Sequence, residues 1–405
     1  MKILLLLLLG FVWAMGLTLE QAIEIATKNH SSLKISTLDL QRAEEGIRRA
    51  RAGILPQVSL SYSYTRLSDE LARGSTPRNR HAYNLELEQA IFNKSVFESI
   101  QLAKEQRELQ ELIKEDTLRE VHFQTKQLFY ALLYKREVIK LLEENLKYWE
   151  ENFRQTEGRF KAGTVPKVEF LRSKAQLENA KAQLENVRAD YAKSLEDFRV
   201  FLKIEHQIQP EGSLGMLDFQ TVDIETLLKN NSTLKVAKKN LELLRKQLEV
   251  QKAQYYPVLN FFVNYQGSTQ RIGGQQEMVD GYTFGARLTY KIFDGFAREA
   301  TISQINIDML KQAENLKDVE YRVRAEFQKL LEDIKSLRAQ ISALEASLEA
   351  SRESLNLSKE RYRYGVATQL EVLDAVNNYN SLLQNYYLLL FQHSSAIARL
   401  ERLTK

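Results

Sequence analysis

The chain carries much of its pattern twice, with an offset of about 201 residues. Arg159-Phe160-Lys161-Ala162-Gly163 followed by Val168-Glu169-Phe170-Leu171 lines up with Arg361-Tyr362-Arg363-Tyr364-Gly365 and Leu370-Glu371-Val372-Leu373. Pro56 with Val58, Leu60, Tyr62 and Tyr64 lines up with Pro257 and Leu259, Phe261, Val263 and Tyr265. Ile91-Phe92-Asn93 matches Ile292-Phe293-Asp294, and Asn29 to Lys34 matches Asn230 to Lys235. A near-constant offset through separate matches means that a whole structural unit was duplicated, and such units bury their faces against neighbours.

The first residues read as a secretory leader. Lys2 gives the charged start, Ile3 to Leu9 and Phe11 to Trp13 the apolar stretch, and Ala14-Met15-Gly16 a small-x-small cleavage site. This reading assigns 1–16 to a signal peptide and starts the mature chain near Leu17. The apolar stretch is shorter than the ~20 residues of a spanning helix, and no other segment of that length is free of charge, which excludes a helical inner-membrane protein. The chain has no cysteine, so neither a disulfide nor an N-terminal lipid on Cys is available to it.

Two segments in each half alternate with a period of two, the mark of strands with one apolar and one polar face. In 57–66, Val58, Leu60, Tyr62 and Tyr64 oppose Ser59, Ser61, Ser63 and Thr65. After a polar loop from Leu67 to Arg80, Tyr83, Leu85, Leu87 and Ile91 oppose Asn84, Glu86 and Glu88. In the second half Leu259, Phe261, Val263 and Tyr265 oppose Asn260 and Asn264, with Phe262 an exception. A loop is expected from Gly267 to Val279, and then Tyr282, Phe284, Ala286, Leu288, Tyr290 and Ile292 oppose Thr283, Arg287, Thr289 and Lys291. Aromatic residues gather at the strand ends, as they do at lipid interfaces.

A soluble sheet with one wet face alternates in the same way. Two isolated hairpins are marginal in water, however, and a leader is present. Four strands cannot close a barrel, and open edges are not tolerated in lipid. Strands that span must therefore be shared among copies, and three copies give twelve strands with an open lumen.

Few Gly and Pro, with abundant Glu, Lys, Leu, Gln and Ala, point to long helices. A helix is expected over about 18–53, opened by Thr18 as N-cap, and another over about 222–255. Residues 96–158 contain no proline and repeat apolar residues at steps of three, four and seven, a coiled-coil-like seam roughly 90 Å long. The chain turns at Lys161 to Pro166 and returns over 167–203. The second half repeats this with a rod at 296–362, a turn at Tyr364 to Thr368 and a return at 369–403. The resulting division is a first repeat at 17–205 with its hairpin at 57–92, a linker at 206–221, and a second repeat at 222–405 with its hairpin at 258–293. Each short helix before the strands has about the length by which the long rod exceeds its return.

These features resemble the TolC family of outer-membrane channel proteins over essentially the whole mature length. The resemblance is carried by Leu17-Thr18-Leu19-Glu20-Gln21-Ala22, Leu55-Pro56, Ile91-Phe92, Ile292-Phe293-Asp294-Gly295 and, most specifically, Tyr362 to Ala375. It implies a mainly α fold, with long helical hairpins forming an α-barrel and four β-strands per protomer contributing to a shared twelve-stranded β-barrel. It further implies a homotrimer in outer-membrane lipid that reaches across the periplasm, recruited by a periplasmic adaptor (membrane fusion) protein and an inner-membrane efflux or ABC transporter. Such a duct serves efflux pumps or type I secretion, and conduction through it is passive.

Glu371 and Asp374 lie three apart on one helix face past the second turn, so a threefold axis would repeat them as a ring of carboxylates that attracts cations. A plain solvated face is the alternative. The pair resembles the acidic pair lining the family's tip aperture, with Glu371 in place of the usual Asp. Tyr362 matches a family tyrosine that ties the tip shut through an acidic residue of the first turn, where this chain has Glu169; the alternative is that Tyr362 only packs the helix end. A second family link uses an arginine where this chain has Ala367. Gly163 and Gly365 are expected to supply left-handed or tight turns.

No enzyme is legible. His30, His81, His122, His206 and His393 are scattered, without HExxH spacing or a Cys partner for zinc. Gly273-Gly274 lies between strands, not at a strand-to-helix phosphate cradle. A net charge of +4 makes no case for nucleic acid, and no cofactor is implied. Met216 and Met278 are isolated and give no soft-metal path. A soluble periplasmic coiled-coil scaffold or adaptor stays open as the other reading, whereas a general diffusion porin conflicts with the amount of helix.

Overall fold

The computed structural model describes residues 15–219 and 222–404. The leader expected over 1–16 lies, except for Met15 and Gly16, outside the described residues. The elements run β1 (Met15–Leu17), α1 (Leu19–Asn29), α2 (Ser31–Ala52), β2 (Gln57–Arg66), β3 (Asn79–Phe92), α3 (Lys94–Lys161), α4 (Lys167–Leu202), β4 (Ile208–Pro210), α5 (Ile224–Asn230), α6 (Ser232–Lys252), a 3-10 turn (Ala253–Tyr255), β5 (Val258–Ile272), β6 (Gln275–Thr289), α7 (Ala297–Arg363) and α8 (Gln369–Thr404). The chain divides into two compact units, one of residues up to 35 with 115–232 and 320–405, the other of 36–114 and 233–319.

The first unit is helical. Thr18 caps α1 through a reciprocal pair: its hydroxyl accepts from Gln21 N, and Gln21 Oε1 accepts from Thr18 N at 3.0 Å. Ala22 and Ala26 of α1 bury fully against Phe129, Leu132 and Leu133 of α3 and Phe198 and Leu202 of α4. Phe129 and Phe198 meet edge to face with centroids 6.3 Å apart. β1 and β4 add a short parallel pair with Leu17 and Ile208 in the same core.

The two helices expected over 18–53 and 222–255 are each broken, at His30 and at Asn231, which occupy equivalent places in the two halves. Both leave helical geometry, with ψ near 130° and 122°. Each is followed by serine, a residue that competes for backbone bonds and favours helix starts. Asn231 Nδ2 donates to Leu403 O at 3.1 Å, so its break is also a tie to the end of α8.

The second unit holds one four-stranded antiparallel sheet in the order β2-β3-β5-β6. The first hairpin has the expected bounds. In the second, the expected loop from Gly267 to Val279 is mostly strand: β5 runs on to Ile272 and β6 starts at Gln275. Gly273 and Gly274, both at positive φ (58° and 92°), make the whole turn, as two-residue hairpins require. The polarity of this stretch concealed its strand pairing. β6 ends at Thr289, so Tyr290 and Ile292 fall beyond it. Ile91 is an extra residue where the β3–β5 register shifts, and it stands exposed.

Candidate functional site

Two places carry the chemistry that the sequence singles out: the paired helix turns of the first unit and the two faces of the sheet in the second.

Both helix turns close the same way. Thr164 N donates to Arg159 O at 2.9 Å and Gly163 N to Phe160 O at 3.0 Å; Val366 N donates to Arg361 O at 2.8 Å and Gly365 N to Tyr362 O at 3.0 Å. This is the Schellman pattern, which needs a left-handed residue, and Gly163 and Gly365 supply it at φ 74° and 73°.

The turns differ at the start of the returning helix. Pro166 precedes α4 and has no side-chain cap to offer. Thr368 precedes α8, and Glu371 Oε1 accepts from both its N and its Oγ1 at 3.1 Å, while Glu371 N donates to Thr368 Oγ1 at 3.3 Å. Thr368-Gln369-Leu370-Glu371 is thus a capping box. That spacing was readable in the sequence and is what motif reasoning about an acidic pair missed. Thr368's backbone N–H, then its hydroxyl, hold the Glu371 carboxyl below its ordinary range, with Arg361 at 3.8 Å adding to this.

Glu169 is the first-turn counterpart of Glu371. With no capping hydroxyl beside it, Glu169 Oε1 instead accepts from the Tyr362 hydroxyl at 3.1 Å. Arg159 lies over the Tyr362 ring at 5.3 Å. Burial first, and the charge of Glu169 second, push the Tyr362 hydroxyl above its ordinary pKa. Phe160, the first-turn counterpart of Tyr362, carries no hydroxyl and stacks on Phe170 at 4.9 Å. The structure therefore brings Tyr362 and Glu169 together.

Glu371 and Asp374 are both exposed on α8, while Val372, Leu373 and Val376 of the same helix bury against Trp149, Leu177 and Leu355. The two carboxylates share a face, but Glu371 is turned back onto Thr368. Behind them Gln369 Nε2 donates to Asn152 Oδ1 at 3.1 Å in a buried contact. Ala367 has no polar side chain, and its backbone N–H donates to Arg361 O at 3.2 Å.

In the sheet, the register sorts side chains into rows. One face carries Val58, Leu87, Val263 and Phe284 in one row and Leu60, Leu85, Tyr265 and Tyr282 in the next. The other face carries Ser59, Glu86, Asn264 and Thr283, then Ser61, Asn84, Gln266 and Gly281. Leu60 is 73% exposed and Phe284 68%, so nothing among the described residues covers the apolar face there. Phe262 breaks the alternation because it lies on the polar face opposite Gly285, whose missing Cβ leaves room for its ring, with Arg287 over that ring at 5.0 Å. β2 and β6 are the outer strands, each paired on one side only.

Among the described residues no helix is long and apolar enough to cross a membrane, and no group of three or more His, Asp or Glu could hold a metal ion.

The sequence model of the outer membrane efflux protein family matches twice, over residues 22–202 and 224–404. The outer membrane protein TolC of Salmonella enteritidis is 22% identical over 401 residues, covering 93% of this chain and 80% of the relative. TolC of Escherichia coli is 22% identical over 387 residues, covering 90% and 77%. Among solved structures, the Campylobacter jejuni CmeC outer membrane channel aligns with a TM-score of 0.80 at 17% identity, covering 95% of this chain and 85% of that one. The open state of the Neisseria gonorrhoeae MtrE outer membrane channel aligns with a TM-score of 0.80 at 17% identity, covering 95% and 88%. The chain belongs to the outer membrane efflux protein family, passive channels, not enzymes, of the Gram-negative outer membrane that extend into the periplasm.

Proposed function

We propose that three copies of this chain form one outer-membrane exit duct. The observation that carries this is the four-stranded sheet with an uncovered apolar face and two outer strands each paired on one side only. Hydrocarbon offers no hydrogen bonds to the free edges, so each edge must pair with another copy. Three sheets give a twelve-stranded wall with an open lumen, and two would give a wall whose own side chains nearly fill it. The duplicated halves, 17–205 and 222–405 joined by the linker 206–221, each supply one hairpin to that wall and one helical hairpin to the periplasmic part.

The duct is a passive conduit. It works with a periplasmic adaptor and an inner-membrane efflux or ABC transporter, either as a tripartite pump or in type I secretion. The paired helix turns form its periplasmic tip. There the Tyr362–Glu169 hydrogen bond holds the second turn to the first, and Glu371 and Asp374 place carboxylates around the aperture, with Asp374 the freer of the two. Purified protein added to planar bilayers tests this reading: ohmic, cation-selective steps without any energy source support it. A water-soluble monomer without conductance overturns it.

A further inference from the structure

Along the apolar face of the sheet the rows change in a fixed order toward the hairpin ends. The aliphatic and aromatic rows at Val58 and Leu60 give way to a row containing Tyr62 and Tyr83, and then to one containing Tyr64 and His81. Tyr62 Oη and His81 Nδ1 are hydrogen bonded at 2.8 Å, and the Tyr64 and His81 rings lie 5.0 Å apart. The Tyr64 hydroxyl donates to Asn79 Oδ1 at 3.2 Å. Beyond this belt, on the same face, stand Arg66 opposite Asn79 and, on β5, Arg271 opposite Gln276. Carrying the β3–β5 register three residues past Ala82–Ser268 sets Asn79 level with Arg271. Arg66 and Arg271 therefore share one row, roughly 10 Å apart and about 7 Å beyond the Tyr64 belt.

Neither guanidinium has an ion-pair partner among the described residues. Of the carboxylates nearby, Asp69 pairs with Arg78 at 3.2 Å and Asp280 accepts from the Tyr265 hydroxyl, while Glu277 lies on the other face of β6. On β2 and β3, apolar rows, a belt of Tyr and His, and then a free arginine follow the profile of a bilayer from hydrocarbon through interface to headgroup. On β5 and β6 the belt rows hold Gly267 with Asp280 and Thr269 with Met278 before Arg271. The helices α2 and α3 leave from the opposite end of the first hairpin, which in the proposed barrel puts the Arg66 end on the side away from the periplasm.

We infer that Arg66 and Arg271 form a docking row for phosphate-bearing lipid headgroups of the outer leaflet, an inference that rests on the membrane barrel proposed above. Guanidinium matches phosphate with two parallel donors, and the belt below fixes the depth at which the phosphate meets it.

The test uses purified full-length protein in zwitterionic detergent, titrated with a diphosphorylated lipid A and followed by native mass spectrometry. The same lipid without phosphates, and inorganic phosphate alone, are the comparison probes. Wild type is expected to bind the diphosphorylated lipid about tenfold more tightly than the dephosphorylated one, and Arg66→Gln with Arg271→Gln to lose that preference. Lys335→Gln with Arg352→Gln on α7 removes equal charge elsewhere and is expected to keep it. Equal binding of both lipids, equal loss in the α7 variant, or full competition by inorganic phosphate at matched concentration overturns the inference. A protein that is monomeric and binds neither lipid instead overturns the barrel reading beneath it.

Discussion

The Tyr362 hydroxyl reaches across from the end of α7 to Glu169 on α4, 3.1 Å away, and joins the two duplicated helix turns. In a duct closed at this tip, Tyr362→Phe removes a hydrogen bond to a carboxylate in half-buried surroundings, worth about 1–2 kcal/mol. Single-channel recordings are expected to show the open state favoured by roughly 5–30-fold. An unchanged open fraction would leave Tyr362 as helix packing alone.

The same hydroxyl gives a pH signature. Its pKa lies above the ordinary 10.0, burial being the first cause and Glu169 the second. The contact is therefore fully present below pH 10 and is lost as the pH rises through the raised value. Conductance measured from pH 8 to 11 is expected to be flat and then to rise at the alkaline end, and Tyr362→Phe is expected to abolish that rise.

Glu371 and Asp374 should not contribute equally. Glu371 is tied to Thr368 by contacts of 3.1 Å, while Asp374 lies exposed one turn on. Asp374→Asn is expected to lower cation selectivity and divalent block more than Glu371→Gln, and the double variant more than either. Reversal potentials under a salt gradient measure this. Thr368→Val is expected to destabilise the α8 start by about 1 kcal/mol and to raise the contribution of the freed Glu371.

Lys239 on α6 faces Glu105 and Glu108 of α3 at 2.5 Å each and Glu242 at 3.4 Å, with its side chain 11% exposed. Burial lowers its pKa, but Glu105 and Glu108 outweigh that and hold it above the ordinary range. Lys239→Met leaves three carboxylates facing one another. A loss of about 2 kcal/mol is expected, less than for a fully buried pair because Glu108 and Glu242 meet water. Denaturant melts of wild type and variant, compared at pH 7 and pH 4, read it out: protonating the carboxylates at pH 4 is expected to shrink the difference.

Much of this was legible from residues alone, for stated physical reasons. Alternation at Val58 to Tyr64 and at Tyr282 to Leu288 fixed the strands, because a sheet with one apolar face has no other pattern. Proline-free, periodic stretches fixed α3 and α7 to within three residues. The three-residue strands β1 and β4 carry no periodicity, and their pairing joins residues far apart in sequence. The breaks at His30 and Asn231 were hidden because the helical pattern resumes in phase after one residue. Gly273-Gly274 signals a two-residue turn, but the polar residues around it read as loop. At the second helix turn, Glu371 reads as half of an acidic pair with Asp374, and the Thr368-x-x-Glu371 spacing also spells the cap that the geometry shows.

Joining of copies through the sheet edges is the claim on which the rest depends, and cross-linking tests it most directly. The chain has no cysteine, so Ser61→Cys on β2 and Gly281→Cys on β6, at opposite ends of one polar row, are the only reactive thiols. A flexible bis-maleimide added to the membrane-inserted protein is expected to yield covalent dimers and trimers and nothing larger. Monomers alone, or a ladder running past three, would contradict a closed wall of three copies.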